Sequence, residues 1–560
     1  MIVLPRMARL ASRQVEYVSE QLIRVPSATE APEITCLRIA SCQICSRRPA
    51  SGIATLSHSR GDTIGAQRRE CQVAVLEAIL NGAGMSNGTG LSSVNHIVVL
   101  MLENRSFDHM LGYLYAAQGN TSPAGQPFDG LTGTESNPDS TGAAVTVSQI
   151  GPTTPNAYFM PGADPGEGYM ATNDQLFGTE TAPASSSDVP GMRGFVTDFA
   201  YTLGWQSKST TWSIVPGTVA SNIMGCFTPQ TLPVLSALAT SYAVCDQWFA
   251  SVPTETLPNR AFACSATSQG HMDDKTRTFT SPSIFGLLGR NNIAWAIYGY
   301  DAEPLTKSTF TDVATATNGT IGKFSDFQAA ASGGTLPAFT FLEPSWGSTG
   351  NSQHPNYNVA LGEQPIHDVY EALRGGPDWP QTLLVITYDE HGGCYDHVPP
   401  PSGAAPPDSD AGEFSFDFTR FGVRVPAVLV SPLIQAGTVF RVPAGTTPLD
   451  HTSILKTVQQ RWNLPSLTAR DAAAPGLGGV LTLATARTDD ALAGVTVPVA
   501  SGTSPSAALP SHLQEVQADL ISRQFPAGQH PAADALAAED SGAAYSSYIR
   551  NYETLEPRQS

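Results

Sequence analysis

Hydrophobic positions fall in short dense runs separated by polar stretches rich in glycine and proline. Residues 97–102 read Ile-Val-Val-Leu-Met-Leu, six apolar positions with β-branched residues at the start, which predicts a strand buried on both faces. Comparable runs at 243–248, 294–300, 338–342, 383–388 and 423–431 predict further strands. Between them the apolar spacing changes to three and four. Phe107, Met110, Leu111 and Leu114 form one such face, residues 232–242 and 366–374 form others, and Ile454, Leu455 and Val458 mark a helix within 449–464. Strands alternating with helices predict an α/β fold with a mostly parallel central sheet sandwiched by helices. Residues 118–187 are rich in Gly, Pro, Thr and Ser and read as long loops over the carboxyl edge of the sheet. Near the end, 511–525 and 543–555 read as amphipathic helices that dock on the core.

The division expected from this pattern is a disordered extension at 1–84, a catalytic domain at 85–490, and a C-terminal loop with helices at 491–560. The extension has scattered arginines and poor apolar periodicity. It lacks a charged segment followed by an apolar stretch and a cleavage site, so it does not read as a secretory leader. No run of about 18 apolar residues is present, and no transmembrane helix is expected. The compartment stays open. A net charge of −19 argues against a nucleic-acid partner and requires a local solution for any anionic substrate. Cys36, Cys42, Cys45 and Cys71 lie in the extension without a second pair at zinc-finger spacing. Cys226, Cys245, Cys264 and Cys394 sit among apolar neighbours and read as small core residues, with a disulfide among them left open.

Chemistry gathers where two of the predicted strands end. The 97–102 run hands over to Glu103-Asn104 before the next helix, and the 383–388 run ends in Asp389-Glu390 followed by His391-Gly392-Gly393. The glycines allow the chain to leave the strand, so that both adjacent acids can turn to one side. Three carboxylates at the carboxyl edge of one sheet, where ligands bind in such folds, repel one another unless they are protonated or share a cation. Oxygen-rich donors suit a hard divalent ion such as calcium or magnesium, with manganese, iron and zinc also open.

The motif Glu103-Asn104-Arg105-Ser106-Phe107-Asp108-His109 after an apolar strand resembles the opening of the bacterial phospholipase C and acid phosphatase family, phosphoesterases with an alkaline-phosphatase-like core. Further matches follow in order through about residue 475. They include Thr256-Leu257-Pro258-Asn259-Arg260, Glu343-Pro344, Gln353-His354-Pro355, Asp389-Glu390-His391 and Asp450-His451-Thr452-Ser453. The stretch starting at Met85 is similar to a natural start for this family. The resemblance implies a phosphoric ester hydrolase, with phosphodiester cleavage of the phospholipase C type placed ahead of acid phosphatase activity. It implies Thr256 as nucleophile and Glu103, Asn104, Thr256, Asp389 and Glu390 as ligands of a divalent metal. It also implies His354 as a proton donor to the leaving group or a hydrogen-bond donor to the phosphoryl oxygen.

Asn104 and Arg260 are expected on the substrate, with a structural ion pair as the other use of Arg260. His391, Asp396 and His397 are expected to orient the ligand loop, and Asp450 or Thr452 to cap a helix, with support of the site from behind as the other use of the Asp450-His451 pair. Two positions depart from the pattern: Gln353 stands where the family carries the aspartate of Asp-His-Pro, and Glu167 is the second. Glu167, in Asp164-Pro165-Gly166-Glu167, stands where the family carries a histidine facing the phosphate. A carboxylate there implies an altered substrate preference, a further metal ligand, or a shifted alignment.

The implied partner is a phosphate ester or phospholipid, with at most transient contact with a membrane surface. A catalytically inactive metal-binding protein of the same fold is the rival from another class, favoured only by Glu167. A sulfatase is disfavoured because Thr-Leu-Pro-Asn-Arg is not the Cys/Ser-x-Pro-x-Arg motif of that chemistry.

Overall fold

The computed structural model describes residues 90–183, 188–208, 214–347, 349–499, 510–524 and 541–552. The extension at 1–84 and its four cysteines lie outside the described residues. The main sheet has eight strands, here β1 (His96–Leu102), β2 (Ala243–Val244), β3 (Trp295–Gly299), β4 (Gly319–Lys323), β5 (Phe339–Glu343), β6 (Thr382–Tyr388), β7 (Ala427–Val430) and β8 (Thr438–Val439). Their order across the sheet is β8-β2-β7-β6-β1-β5-β3-β4. Every pairing is parallel except those of β7, which runs against both β6 and β2. In β1 every residue after His96 is buried, and in β6 all seven are. Side chains alternate between faces along a strand, so both faces of the sheet centre are covered. This is the mostly parallel α/β fold expected.

The two longest strands, β1 and β6, lie side by side from His96↔Thr382 to Leu102↔Tyr388. Their carboxyl ends therefore finish level, and Glu103 and Asp389 emerge together. The differences from expectation are local. The 243–248 run splits into β2 and a separate pair, Trp248–Phe249 with Leu449–Asp450. Edge strand β4 was not expected, because Gly-Thr-Ile-Gly-Lys is mostly exposed and carries no apolar run.

The helices used below are α1 (Phe107–Leu111), α2 (Tyr169–Phe177), α3 (Thr256–Ser265), α4 (Ala360–Arg374), α5 (Thr452–Trp462), α6 (His512–Ser522) and α7 (Gly542–Tyr552). Helix α3 starts at Thr256, where the sequence reads as a loop continuing to Arg260. Pro258 lies in its first turn, where a missing N–H is tolerated. Helix α4 likewise starts before Pro365, although the apolar spacing begins only after it. The four body cysteines are buried free thiols. Among the described residues no helix is long and apolar enough to cross a membrane.

A buried ion network anchors α1 to the strand side of the sheet. Arg424, fully enclosed, donates to Asp108 Oδ1 and Asp396 Oδ1 at 2.9 Å each and to the carbonyls of Asp129 and Asp246 at 2.9 and 2.8 Å. Its guanidinium also lies 4.5 Å from the centre of the Phe107 ring. Removing one member of such a network leaves charge buried without a partner. Arg424→Met is expected to lose about 3–5 kcal/mol of stability, read as a lower midpoint in chemical denaturation. An unchanged midpoint would show that the network is not structural.

Candidate active site

Asn104 sits in the left-handed region at φ 54° just past the end of β1, a conformation that asparagine tolerates better than most residues. Its N–H donates to Asp389 Oδ1 at 2.9 Å, and Asp389 Oδ1 also accepts from the Glu390 N–H at 2.8 Å. Gly392 passes so close that a Cβ there would lie 2.0 Å from the Asn104 carbonyl oxygen. That closeness and its φ of +60° require glycine. The side chain of Asn104 faces two ways. Its Oδ1 accepts the Thr256 hydroxyl proton at 2.9 Å, and its Nδ2 donates to Glu167 Oε2.

Thr256 is held by its neighbours. The Asn259 side chain pins the preceding loop, with Oδ1 accepting from the Val252 N–H at 3.1 Å and Nδ2 donating to the Thr254 carbonyl at 2.8 Å. Asp274 then clasps the Thr256 turn from both sides. Its Oδ1 accepts from the Leu257 N–H at 2.6 Å, and its own N–H donates to Glu255 Oε2 at 2.6 Å. The Thr256 hydroxyl does not cap the helix. The N-cap position belongs to Glu255, and the hydroxyl turns instead to Asn104.

Arg260, on the same helix, pairs with Asp389 Oδ2 at 2.9 Å and donates to the carbonyls of Met101 and Leu102. Its guanidinium stacks 4.5 Å over Trp346. Its Nη1 is buried without a protein partner, so one corner stays available. Of the two uses expected for Arg260, the ion pair is the one the structure contains. His451 supports the other ligand strand from behind. Trp248 Nε1–H donates to its Nδ1, which leaves Nε2–H to donate to the Asp389 carbonyl at 2.6 Å. Asp450 accepts from the Thr452 N–H at the start of α5 and bonds Arg470, which is the capping role expected.

Seven acids surround the threonine: Glu103, Asp164, Glu167, Glu255, Asp274, Asp389 and Glu390. Burial, then the Asp389 charge, pushes Glu103 up to about 8. Burial and Asp274 push Glu255 to about 8, and burial takes Asp164 to about 7. Burial and mutual repulsion also raise Glu167 and Glu390 well above the ordinary range. Glu103 Oε2 and Glu390 Oε1 are buried without any hydrogen-bond partner. Orphaned carboxylate oxygens of this kind are costly unless a cation takes them, so the donor set fits a hard divalent ion.

The fit is not tight. Among the described residues, two sets of three potential ligands have donor atoms within 4.8 Å of one another: Asp164, Glu167 and His354, and Asp108, Asp396 and His397. The second set is already neutralised by Arg424, and by His397, which burial lowers but bonds to Asp108 and Asp129 raise to about 10. Asp396 and His397 thus belong to the structural network rather than to the ligand loop. Glu103, Asp389 and Glu390 form neither set, because Arg260 and two backbone N–H groups hold Asp389. A cation on the expected ligands requires their side chains to draw together.

His354 stacks on Tyr357 with ring centres 4.9 Å apart, and its Nε2 lies 3.8 Å from Glu167 Oε2. Burial lowers it to about 4. Its Nδ1 bonds the Pro355 carbonyl at 3.1 Å, so the neutral ring carries its proton there and presents a bare Nε2. A bare Nε2 accepts a proton or binds a cation. Donating a proton to a leaving group, the role expected from the sequence, requires this Nε2 to take one up first. His391 does orient the ligand loop, bonding Glu390 Oε2 at 3.1 Å and Gln175 Oε1 at 2.7 Å.

Sequence reasoning missed Asp274, Arg105 and Trp346. Asp274 lies in Met-Asp-Asp-Lys, which reads as an exposed turn and gives no local signal. Arg105 stands within the first motif, and its guanidinium ties that motif to the carbonyls of Gln353, His354 and Met160. Its position beside Asn104 was the available hint.

Residues 94–465 match the model of the Phosphoesterase family. Non-specific phospholipase C1 of Arabidopsis thaliana is 40% identical over 403 residues, covering 68% of this chain and 69% of that protein. Phospholipase C A of Mycobacterium tuberculosis is 28% identical over 434 residues, covering 69% and 75%. Among solved structures, a protein in the alkaline phosphatase superfamily from Vibrio parahaemolyticus aligns with a TM-score of 0.28 at 13% identity, covering 43% of this chain and 64% of that one. That likeness is too slight to add to the fold described above. With a family match over more than half its length, the chain belongs to the Phosphoesterase family and is a hydrolase acting on phosphate esters.

Proposed function

We propose that the chain is a metal-dependent phosphodiesterase of the phospholipase C type that works through a phospho-threonine at Thr256. The observation carrying this is the Thr256 hydroxyl, held at 2.9 Å on Asn104 beside two buried carboxylates that each keep one oxygen without a partner. A divalent cation held by Glu103, Asn104, Asp389, Glu390 and the Thr256 oxygen would supply Lewis acidity, lowering the hydroxyl pKa and offsetting charge on the phosphoryl oxygens.

The chain's own groups do the rest. Asn104 fixes the hydroxyl for in-line attack. The threonine hydroxyl passes its proton through water to the bare His354 Nε2 as its oxygen bonds to phosphorus and the bond to the leaving alcohol breaks, and the alcohol leaves with that proton from His354. Arg260 offers its free Nη1 to a phosphoryl oxygen. In the second step water attacks the phospho-threonine, the bare His354 Nε2 accepts the water's proton, and the bond between phosphorus and the threonine oxygen breaks, that oxygen regaining a proton from His354. Glu167, bonded to Asn104 Nδ2, faces the same space and restricts which headgroups enter. Its carboxyl must be protonated or cation-bound while an anionic ester occupies the site.

The relatives named as phospholipases C favour diester over monoester cleavage. The substrate is then a phospholipid approached by transient contact with a membrane surface. An acid phosphatase is the alternative, needing only a pocket for a terminal phosphate.

Purified protein is expected to hydrolyse p-nitrophenylphosphorylcholine faster than p-nitrophenyl phosphate. A chelator should abolish both reactions, and Thr256→Ala should lower kcat by at least about 10³-fold. Monoester preference would select the acid phosphatase. No cleavage with any of a panel of metals would favour the inactive binding protein.

The raised carboxyls give a second expectation, read without activity. In chelated protein Glu103, Glu255 and Asp164 keep their protons in the folded state above the ordinary carboxyl range. Their contribution to stability is full below that range and is lost as pH rises through about 7–8. The Tm of chelated protein should therefore fall between about pH 5 and about pH 8, and an added divalent ion should raise Tm more at the higher pH. A Tm indifferent to the ion at both pH values would remove the metal from the account.

A further inference from the structure

The C-terminal helix α6 begins against the turn that carries the nucleophile, although it lies beyond the family-matched segment that ends at residue 465. Its start is well defined. The Ser511 side chain accepts from the Gln514 N–H at 3.2 Å, and Gln514 Oε1 accepts from the Ser511 N–H at 3.0 Å, a reciprocal cap that fixes His512 as the first helical residue. One apolar cluster joins Leu513, Val516 and Leu520 of this helix to Leu257, Leu305 and Trp346. Leu257 follows Thr256 in the chain, and Trp346 lies under the Arg260 guanidinium. From this seat His512 Nε2 reaches the Asp274 carbonyl oxygen at 3.0 Å. Asp274 is the residue that holds Glu255 and Leu257 on either side of the threonine.

We propose that His512 is a positioning residue for Thr256: by donating from Nε2 to the Asp274 carbonyl, it fixes the clasp that presents the threonine hydroxyl to Asn104. The proposal rests on the reading of Thr256 as nucleophile. The Nε2–H is present in either charge state when the neutral ring is the Nε2 tautomer, so the role needs no change of protonation. His512 is itself exposed. Asp274, by contrast, is buried, and its carboxyl caps the helix. The histidine therefore acts on the geometry of the turn more than on the stability of the fold. The C-terminal helices, continued by α7 through a Gln514 Nε2 to Ser546 Oγ bond at 2.8 Å, thereby form part of the active-site frame.

The test compares His512→Ala and His512→Gln with wild type on p-nitrophenylphosphorylcholine, beside amide hydrogen exchange at Leu257. In His512→Ala, kcat is expected to fall about three- to tenfold, the effect one hydrogen bond supplies. KM and Tm should be unchanged, and Leu257 should exchange faster. Glutamine places an amide Nε2–H at similar reach, so His512→Gln should restore kcat and Leu257 protection. Unchanged kcat and unchanged Leu257 exchange in His512→Ala would overturn the proposal. Failure of glutamine to rescue, with a shifted pH profile, would also overturn it, by making His512 an acid or base. If wild type cleaves no ester, the nucleophile reading fails instead, and Leu257 exchange still decides whether His512 holds the turn.

Discussion

Charge repulsion among buried carboxylates at the end of β1 and β6 is the constraint on which the site depends. The two strands run in register to the same level, so Glu103 and Asp389 are delivered to one place by the sheet itself. Glu390 follows, and loops bring in Asp164, Glu167, Glu255 and Asp274. Such a concentration of acids in a low-dielectric setting stands only if protons, a guanidinium or a cation offset it. Arg260 offsets Asp389. Glu103 and Glu390 each keep an oxygen that nothing in the protein satisfies.

The molecule contains its own control for that argument. Asp108, Asp129 and Asp396 form a second concentration of acid, around Arg424. There Arg424 and a strongly basic His397 supply the opposite charge, and each acid accepts bonds from them or from backbone. One acidic set is closed by the protein's own cations and has the character of scaffold. The other keeps carboxylate oxygens without partners, next to the Thr256 hydroxyl, and has the character of a site. The difference lies in what neutralises the acids rather than in their number.

The sheet centre was legible in the sequence because β1 and β6 are unbroken apolar runs that end abruptly in acids. The acids themselves were legible for the same reason, as was the need for a counter-charge. Thr256 was not legible from local pattern. Its position before Pro258 reads as a loop, and only the resemblance of the surrounding residues pointed to it. The protonation of His354 was illegible, because burial and the Pro355 carbonyl decide it. Asp274 and His512 escaped entirely. They lie 238 positions apart, and their roles come from a contact between the core and the C-terminal helix, which no local spacing encodes. Edge strand β4 escaped because an exposed edge needs no apolar run.

The central claim is that Thr256 itself becomes covalently linked to phosphorus. Acid-quenching the enzyme during turnover of a phosphodiester, digesting it, and weighing the peptide that contains Thr256 tests this directly. The account predicts a phosphoryl adduct on that peptide, localised to Thr256, that is absent without substrate and absent in Thr256→Ala. Turnover with no adduct on any time scale of quenching, or an adduct on another residue, would contradict it.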